Sequence, residues 1–153
     1  MGYPMLETLL AKLSRDIVLT VEPAVFHFER GSRRVSLATR VFLDRDGDRI
    51  VGVGEPPAHG VVGTPVDLFS DEPASPDVPA KQELLDGFFR FALQQTTGRK
   101  VLVRPRLVVH NAGSLGALLC GYQNSILTEA AIRAGVRECR FVDAAATALA
   151  CGR

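Results

Sequence analysis

Apolar and polar positions along this chain follow two different periods. From Met5 to Ser14 the leucines Leu6, Leu9, Leu10 and Leu13 recur at the spacing of one helix face, with Glu7, Lys12 and Arg15 off it. The spacing predicts a short amphipathic helix within residues 1–15, ahead of a single domain over 16–153. A different pattern follows. Ile17 to Val21 is a short apolar run, Ala24 to Glu29 carries Val25, Phe26 and Phe28 behind Pro23, and Val35 to Leu43 is rich in β-branched and apolar side chains. Arg30-Gly31-Ser32-Arg33 and Asp44-Arg45-Asp46-Gly47-Asp48 have the composition of turns, and Ile50 to Val53 returns as a further strand. Together these segments predict an antiparallel meander.

The stretch from Glu55 to Pro79 reads as loop, and its part at about 66–79 is rich in Pro and acidic residues. Regular periodicity then resumes. Ala80 to Gln95 has a wide helical face of Leu84, Leu85, Phe88, Phe89, Phe91, Ala92 and Leu93. Arg106 to Val109 reads as a buried strand, and Asn124 to Ala134 as a helix ended by Gly135. Cys139 to Val142 reads as a strand and Ala144 to Ala150 as a short Ala-rich helix. Strands alternating with helices imply parallel pairing through crossovers. The expected fold is α/β: one mixed sheet, an antiparallel meander first and parallel strands after it, with helices packed on it.

Composition narrows the partners. With 153 residues, 46% of them apolar and 23% charged, the chain has the makings of one ordinary domain with a core. Eighteen basic against 17 acidic residues leave +1, so no global field attracts nucleic acid, and none is expected as a partner. Arg30, Arg33, Arg34 and Arg40 make the meander locally basic, which solvated strand edges explain. Three cysteines without paired spacing exclude a disulfide scaffold and a CxxC-type zinc site. No apolar run reaches the ~18–20 residues of a bilayer span, and Met1-Gly2-Tyr3-Pro4 does not open a signal peptide. The expected location is cytoplasmic, at most peripheral to the inner face of the membrane through the leading helix, whose few basic residues make that contact weak. Asp44 to Asp48 has oxygens at alternate positions, as a calcium loop does, and Glu55 falls at the twelfth place. Val51-Gly52-Val53 fills the late loop with strand and no helices flank it, so a hairpin turn is expected and no metal site. His27, His59 and His110 are scattered, and no G-x-S-x-G nucleophile motif occurs.

Several segments resemble the MreB-like bacterial actin family. Ser14-Arg15-Asp16-Ile17 looks like that family's start. Val51-Gly52-Val53-Gly54-Glu55 followed by Gly63-Thr64-Pro65 is similar to its "AVGEEA" and "GRTP", and Val103 to Val109 to its "VRPRVVI". Glu129-Ala130-Ala131-Ile132-Arg133-Ala134-Gly135-Val136-Arg137-Glu138 is close to its "EAALRAGARE", the most specific block. The resemblance covers nearly the whole chain. It implies a single actin-like, ribonuclease H-type lobe, in which three antiparallel strands precede helix–strand–helix–strand–helix. That layout asks for one sheet, and a structure with two separate sheets would remove the actin-like reading altogether.

In the family ATP lies between two lobes, and Thr147 to Gly152 looks like the helix that ends the first. The expected function is therefore a rod-shape or cytoskeletal protein reduced to one lobe. It would be a non-catalytic interaction module in cell-shape or wall-growth control, forming a homo-oligomer or a complex with an MreB-type filament protein. The alternative is half of an ATP site completed by a partner chain; no cofactor is expected unless a second lobe supplies the rest. Where the family has its "IDLGT-N" phosphate turn, this chain has Leu19-Thr20-Val21-Glu22-Pro23. Thr20 takes the place of the Asp and Glu22 that of the Gly, and Pro23 removes an N–H donor. A carboxylate 4 Å from a phosphate charge costs about 4 kcal/mol at an effective dielectric of 20. The family's "IEEPMAAA" is matched by Val142-Asp143-Ala144-Ala145-Ala146, with Asp143 standing for one acid. Its "VPSGAT" loop is matched by His110 to Gly116, in which Asn111, Gly113 and Ser114 are the remnant phosphate-loop candidates and a plain strand-to-helix turn is the simpler account. No residue is expected to be catalytic.

Overall fold

A computed structural model describes residues 16–70, 81–98 and 104–142. The predicted helices at Met5–Ser14 and Ala144–Ala150, Asp143 and most of the Pro-rich acidic stretch lie outside the described residues. Eight strands are described: β1 (Ile17–Val21), β2 (Val25–Arg30), β3 (Arg33–Ala38), β4 (Arg40–Leu43), β5 (Ile50–Val53), β6 (Thr64–Asp67), β7 (Arg106–His110) and β8 (Glu138–Val142). Two α-helices join them, α1 (Lys81–Thr97) and α2 (Gln123–Ala134), with a 3-10 turn at Ala112–Leu115. The fold is mixed α/β, and no described helix is long and apolar enough to cross a membrane.

Five strands form one sheet in the order β3-β2-β1-β7-β8. β1 pairs antiparallel with β2 and parallel with β7, and β8 extends the parallel half beside β7. The alternation of the sequence is the cause of the packing. Ile17, Leu19 and Val21 of β1, Phe26 and Phe28 of β2, and Leu107 and Val109 of β7 point to one face and are fully buried. Val18, Thr20, His27, Val108 and His110 point to the other and remain half-exposed. Both helices cover the first face. α1 brings Leu84, Leu85, Phe88, Phe89, Ala92 and Leu93 to it, and α2 brings Leu127, Ala130 and Ala131. Phe26 meets Phe88 edge-on at 5.7 Å between ring centroids, and Phe28 meets Phe89 edge-on at 6.0 Å. Arg133 on α2 reaches Asp86 on α1 at 2.9 Å, tying the helices at their rim. α2 ends where Gly135, at φ 114°, turns its N–H back to the carbonyls of Ala131 and Ile132.

The expectation of one continuous sheet is corrected. The run Val35 to Leu43 breaks at Thr39, and β4 leaves to form a separate three-stranded sheet in the order β5-β4-β6. The break is a hydrogen-bonding decision. Thr39 is only 5% exposed; its N–H donates to the Ala24 carbonyl and its Oγ1 to the Pro23 carbonyl at 2.6 Å, while its own carbonyl accepts from Leu68. These partners bend the chain where a straight ladder would leave buried groups unpaired. The stretch from Glu55 to Pro79, expected as loop, also holds a strand, because Thr64–Asp67 is β6, which pairs antiparallel with β4. Pro65 fits there because β6 is an edge strand. The small sheet leans on α1 at Gly87, where a Cβ would stand 2.6 Å from the Ile50 Cδ1.

The phenylalanine cluster sets the stability of this layer. Phe88→Ala should lower the unfolding free energy by about 3–5 kcal/mol, whereas Ile132→Ala, 44% exposed on α2, should change it by less than about 0.5 kcal/mol. Urea unfolding of both variants checks the contrast.

Candidate functional site

In sheets with parallel strands, ligands bind beyond the carboxyl ends at the point where connections diverge. Here that point lies between β1 and β7, which run side by side with Thr20 opposite His110. The chain leaves β1 by a tight turn into β2 and leaves β7 by the 3-10 turn. The two segments expected as remnants of phosphate turns therefore sit next to each other.

The first turn is closed on itself. Glu22 and Val25 exchange both backbone hydrogen bonds, at 3.0 and 3.2 Å, with Pro23 and Ala24 between them. The Glu22 N–H is thus engaged and Pro23 has none to offer, so the turn keeps few donors for an anion. Thr39 holds the Pro23 and Ala24 carbonyls from one side. The Glu22 carboxylate extends over the half-exposed sheet face, 3.6 Å from the His27 Nε2.

The second turn holds the first from the other side. Asn111 adopts the left-handed conformation, φ 66° and ψ 26°, which an Asn tolerates better than most residues. That backbone aims its side chain inward, and Nδ2 donates to the Val21 carbonyl at 2.9 Å. The Ser114 hydroxyl lies 2.9 Å from the Asn111 carbonyl and 3.4 Å from the Val21 carbonyl, and its single proton serves the nearer partner better. Gly113 has a negative φ and open space where a Cβ would be, so neither backbone nor packing demands a glycine there. The structure thus brings Asn111 and Ser114 together: Asn111 ties the turn to the end of β1, Ser114 closes the turn on the Asn111 carbonyl, and Gly113 has open space beside it.

Other candidates are placed as follows. Asp44 Oδ1 accepts from the N–H groups of Asp48 and Arg49 at 3.0 and 3.3 Å, and Gly47 has φ 74°, which makes the acidic run a self-capped hairpin turn. Among the described residues no group of three or more His, Cys, Asp and Glu is placed to hold a metal ion. Cys120 is exposed, whereas burial pushes the Cys139 thiol up to about 11 against a weaker downward pull from Thr128. One cluster escaped the sequence reading: β2 and β3 set His27 opposite Ser36, with Nδ1 and Oγ 2.7 Å apart. A two-residue turn at Gly31-Ser32 fixes that register, so the signal was present in the turn chemistry.

No protein-family model matches the chain, and no curated protein matches it.

Two measurements test this geometry. Asn111→Ala removes the bond to Val21 and puts a Cβ-bearing residue without local hydrogen bonding at positive φ, for a loss of about 2 kcal/mol; Asn111→Gly keeps the backbone relaxed and should lose only about 1. Equal losses in urea unfolding would refute the assignment of backbone strain. For the thiols, iodoacetamide at pH 8 followed by peptide mapping should modify Cys120 and spare Cys139. With its titration near 11, roughly one Cys139 in a thousand is a thiolate at that pH.

Proposed function

We propose that this chain is an actin-like lobe resembling the MreB-like bacterial actins, acting as a non-catalytic interaction module in cell-shape or wall-growth control. An MreB-type filament protein or a second copy of the chain is the partner. The observation that carries the non-catalytic part is the double clamp on the β1–β2 turn. A phosphate turn works by presenting unpaired N–H groups to an anion. In this turn the Glu22 N–H is paired, Pro23 lacks one, and a carboxylate stands beside them. The Val21 carbonyl and the Asn111 side chain, which flank the position, are bonded to each other.

The fold part of the reading is supported by the five-stranded sheet, in which a three-strand meander precedes two parallel strands reached through helices. The separate three-stranded sheet meets the condition for removing the one-sheet layout expected from the sequence, so that layout is given up and the likeness proposed here rests on the larger sheet alone. The interaction part is supported by that sheet's half-exposed face, on which no described helix packs.

Calorimetry with Mg-ATP should give no binding heat, and a phosphate-release assay no turnover. A ligand present at 100 times its Kd would add ~2.7 kcal/mol and several degrees to Tm, so a shift below one degree at millimolar Mg-ATP agrees with the proposal. Turnover that disappears in Asp143→Ala would overturn it in favour of an ATP half-site. Capture of a purified MreB-type protein, or concentration-dependent dimers in light scattering, supports the interaction role; a strict monomer that captures nothing removes it.

A further inference from the structure

Ser36 lies on β3, the outer strand of the five-stranded sheet among the described residues, and is exposed together with Arg33 and Arg34. The two arginines stand three and two positions ahead of it in an extended backbone. Across the ladder, His27 Nδ1 lies 2.7 Å from the Ser36 Oγ, and the Glu22 carboxylate lies 3.6 Å from Nε2 of the same ring. The ring thus stands between the Ser36 hydroxyl and the Glu22 carboxylate.

We propose that Ser36 is a phosphorylation site, served by a serine/threonine kinase whose substrate cleft is acidic and reads Arg33-Arg34-Val35-Ser36. Charge patterns of this kind are how kinases select substrates, and an outer strand already has the extended form such a cleft takes. In the transfer the Ser36 Oγ attacks the γ-phosphorus of the kinase-bound nucleoside triphosphate. The bond to the β,γ-bridging oxygen breaks, the diphosphate leaves with the electron pair, and the hydroxyl proton passes to the catalytic carboxylate of the kinase. The product carries about −1.5 to −2 charge beside the His27 imidazole. Arg34, two positions along the same face, now sits 3.4 Å from Glu29 and turns to the phosphate instead. A dianion on an outer strand also bars a further strand from pairing there.

The test uses the folded 153-residue chain, the catalytic subunit of an arginine-directed kinase and Mg-ATP, beside a synthetic peptide of residues 30–40. One phosphate should map to Ser36 by mass spectrometry. It should be absent in Ser36→Ala and slowed at least tenfold when Arg33→Ala and Arg34→Ala are combined. In ³¹P titrations the phosphoserine of the folded chain should ionise about half a pH unit below that of the peptide, and His27→Ala should return it toward the peptide value. A peptide that is phosphorylated while the folded chain is not overturns the proposal, as does incorporation at other residues alone. An ionisation equal to that of the peptide overturns the part given to His27 and Arg34.

Discussion

The architecture turns on Thr39, a buried polar residue whose backbone and side-chain groups all find partners inside the protein. Leaving any one of them unpaired would cost on the order of 1–3 kcal/mol, so the chain bends where the three bonds can be made together. The bend ends β3, begins β4 and fixes the start of the segment after β6 through Leu68. It also reaches back to the β1–β2 turn. One residue thereby connects the larger sheet, the smaller sheet and the turn at the candidate site.

That turn is consequently held from two directions by unrelated parts of the sequence, Thr39 on one side and the loop after β7 on the other. The same residue types can serve an anion or serve the fold, and the difference is where their hydrogens point. Asn111 and Ser114 are polar and sit in a small-residue loop at the mouth of a parallel strand pair, as phosphate-binding residues do. Their donors nonetheless face carbonyls of their own chain. An empty cradle would keep those donors directed outward.

Much of the element order was legible, because burial on one face of a sheet or helix imposes a period on the sequence. β1 has the bounds that its apolar run predicts, and α1 and α2 follow the stripes of Leu84 to Leu93 and Leu127 to Ala131. The break at Thr39 was not legible. A β-branched residue suits a strand, and its reasons for bending lie at Pro23, Ala24 and Leu68, distant in sequence. β6 was hidden for the opposite reason: Pro65 speaks against a strand unless the strand is known to lie at an edge. At the site, residue types were readable and their directions were not. Asn111 gave a hint, since Asn is among the few side chains that accept positive φ, but the Val21 carbonyl it finds is set by strand pairing.

The approach of α1 to Ile50 has a consequence of its own. At Gly87 the one atom that a Cβ would meet is the free end of the Ile50 side chain. The Ile50 side chain is thus the layer between helix and strand, and it is compliant, because its last carbon turns on a single bond. A small side chain at position 87 would be taken up by a rotation at Ile50 before either backbone moved. Ile50 works as a fender rather than a wedge: the soft end of one side chain gives way first, while the bonds at Thr39 keep the start of β4 in place.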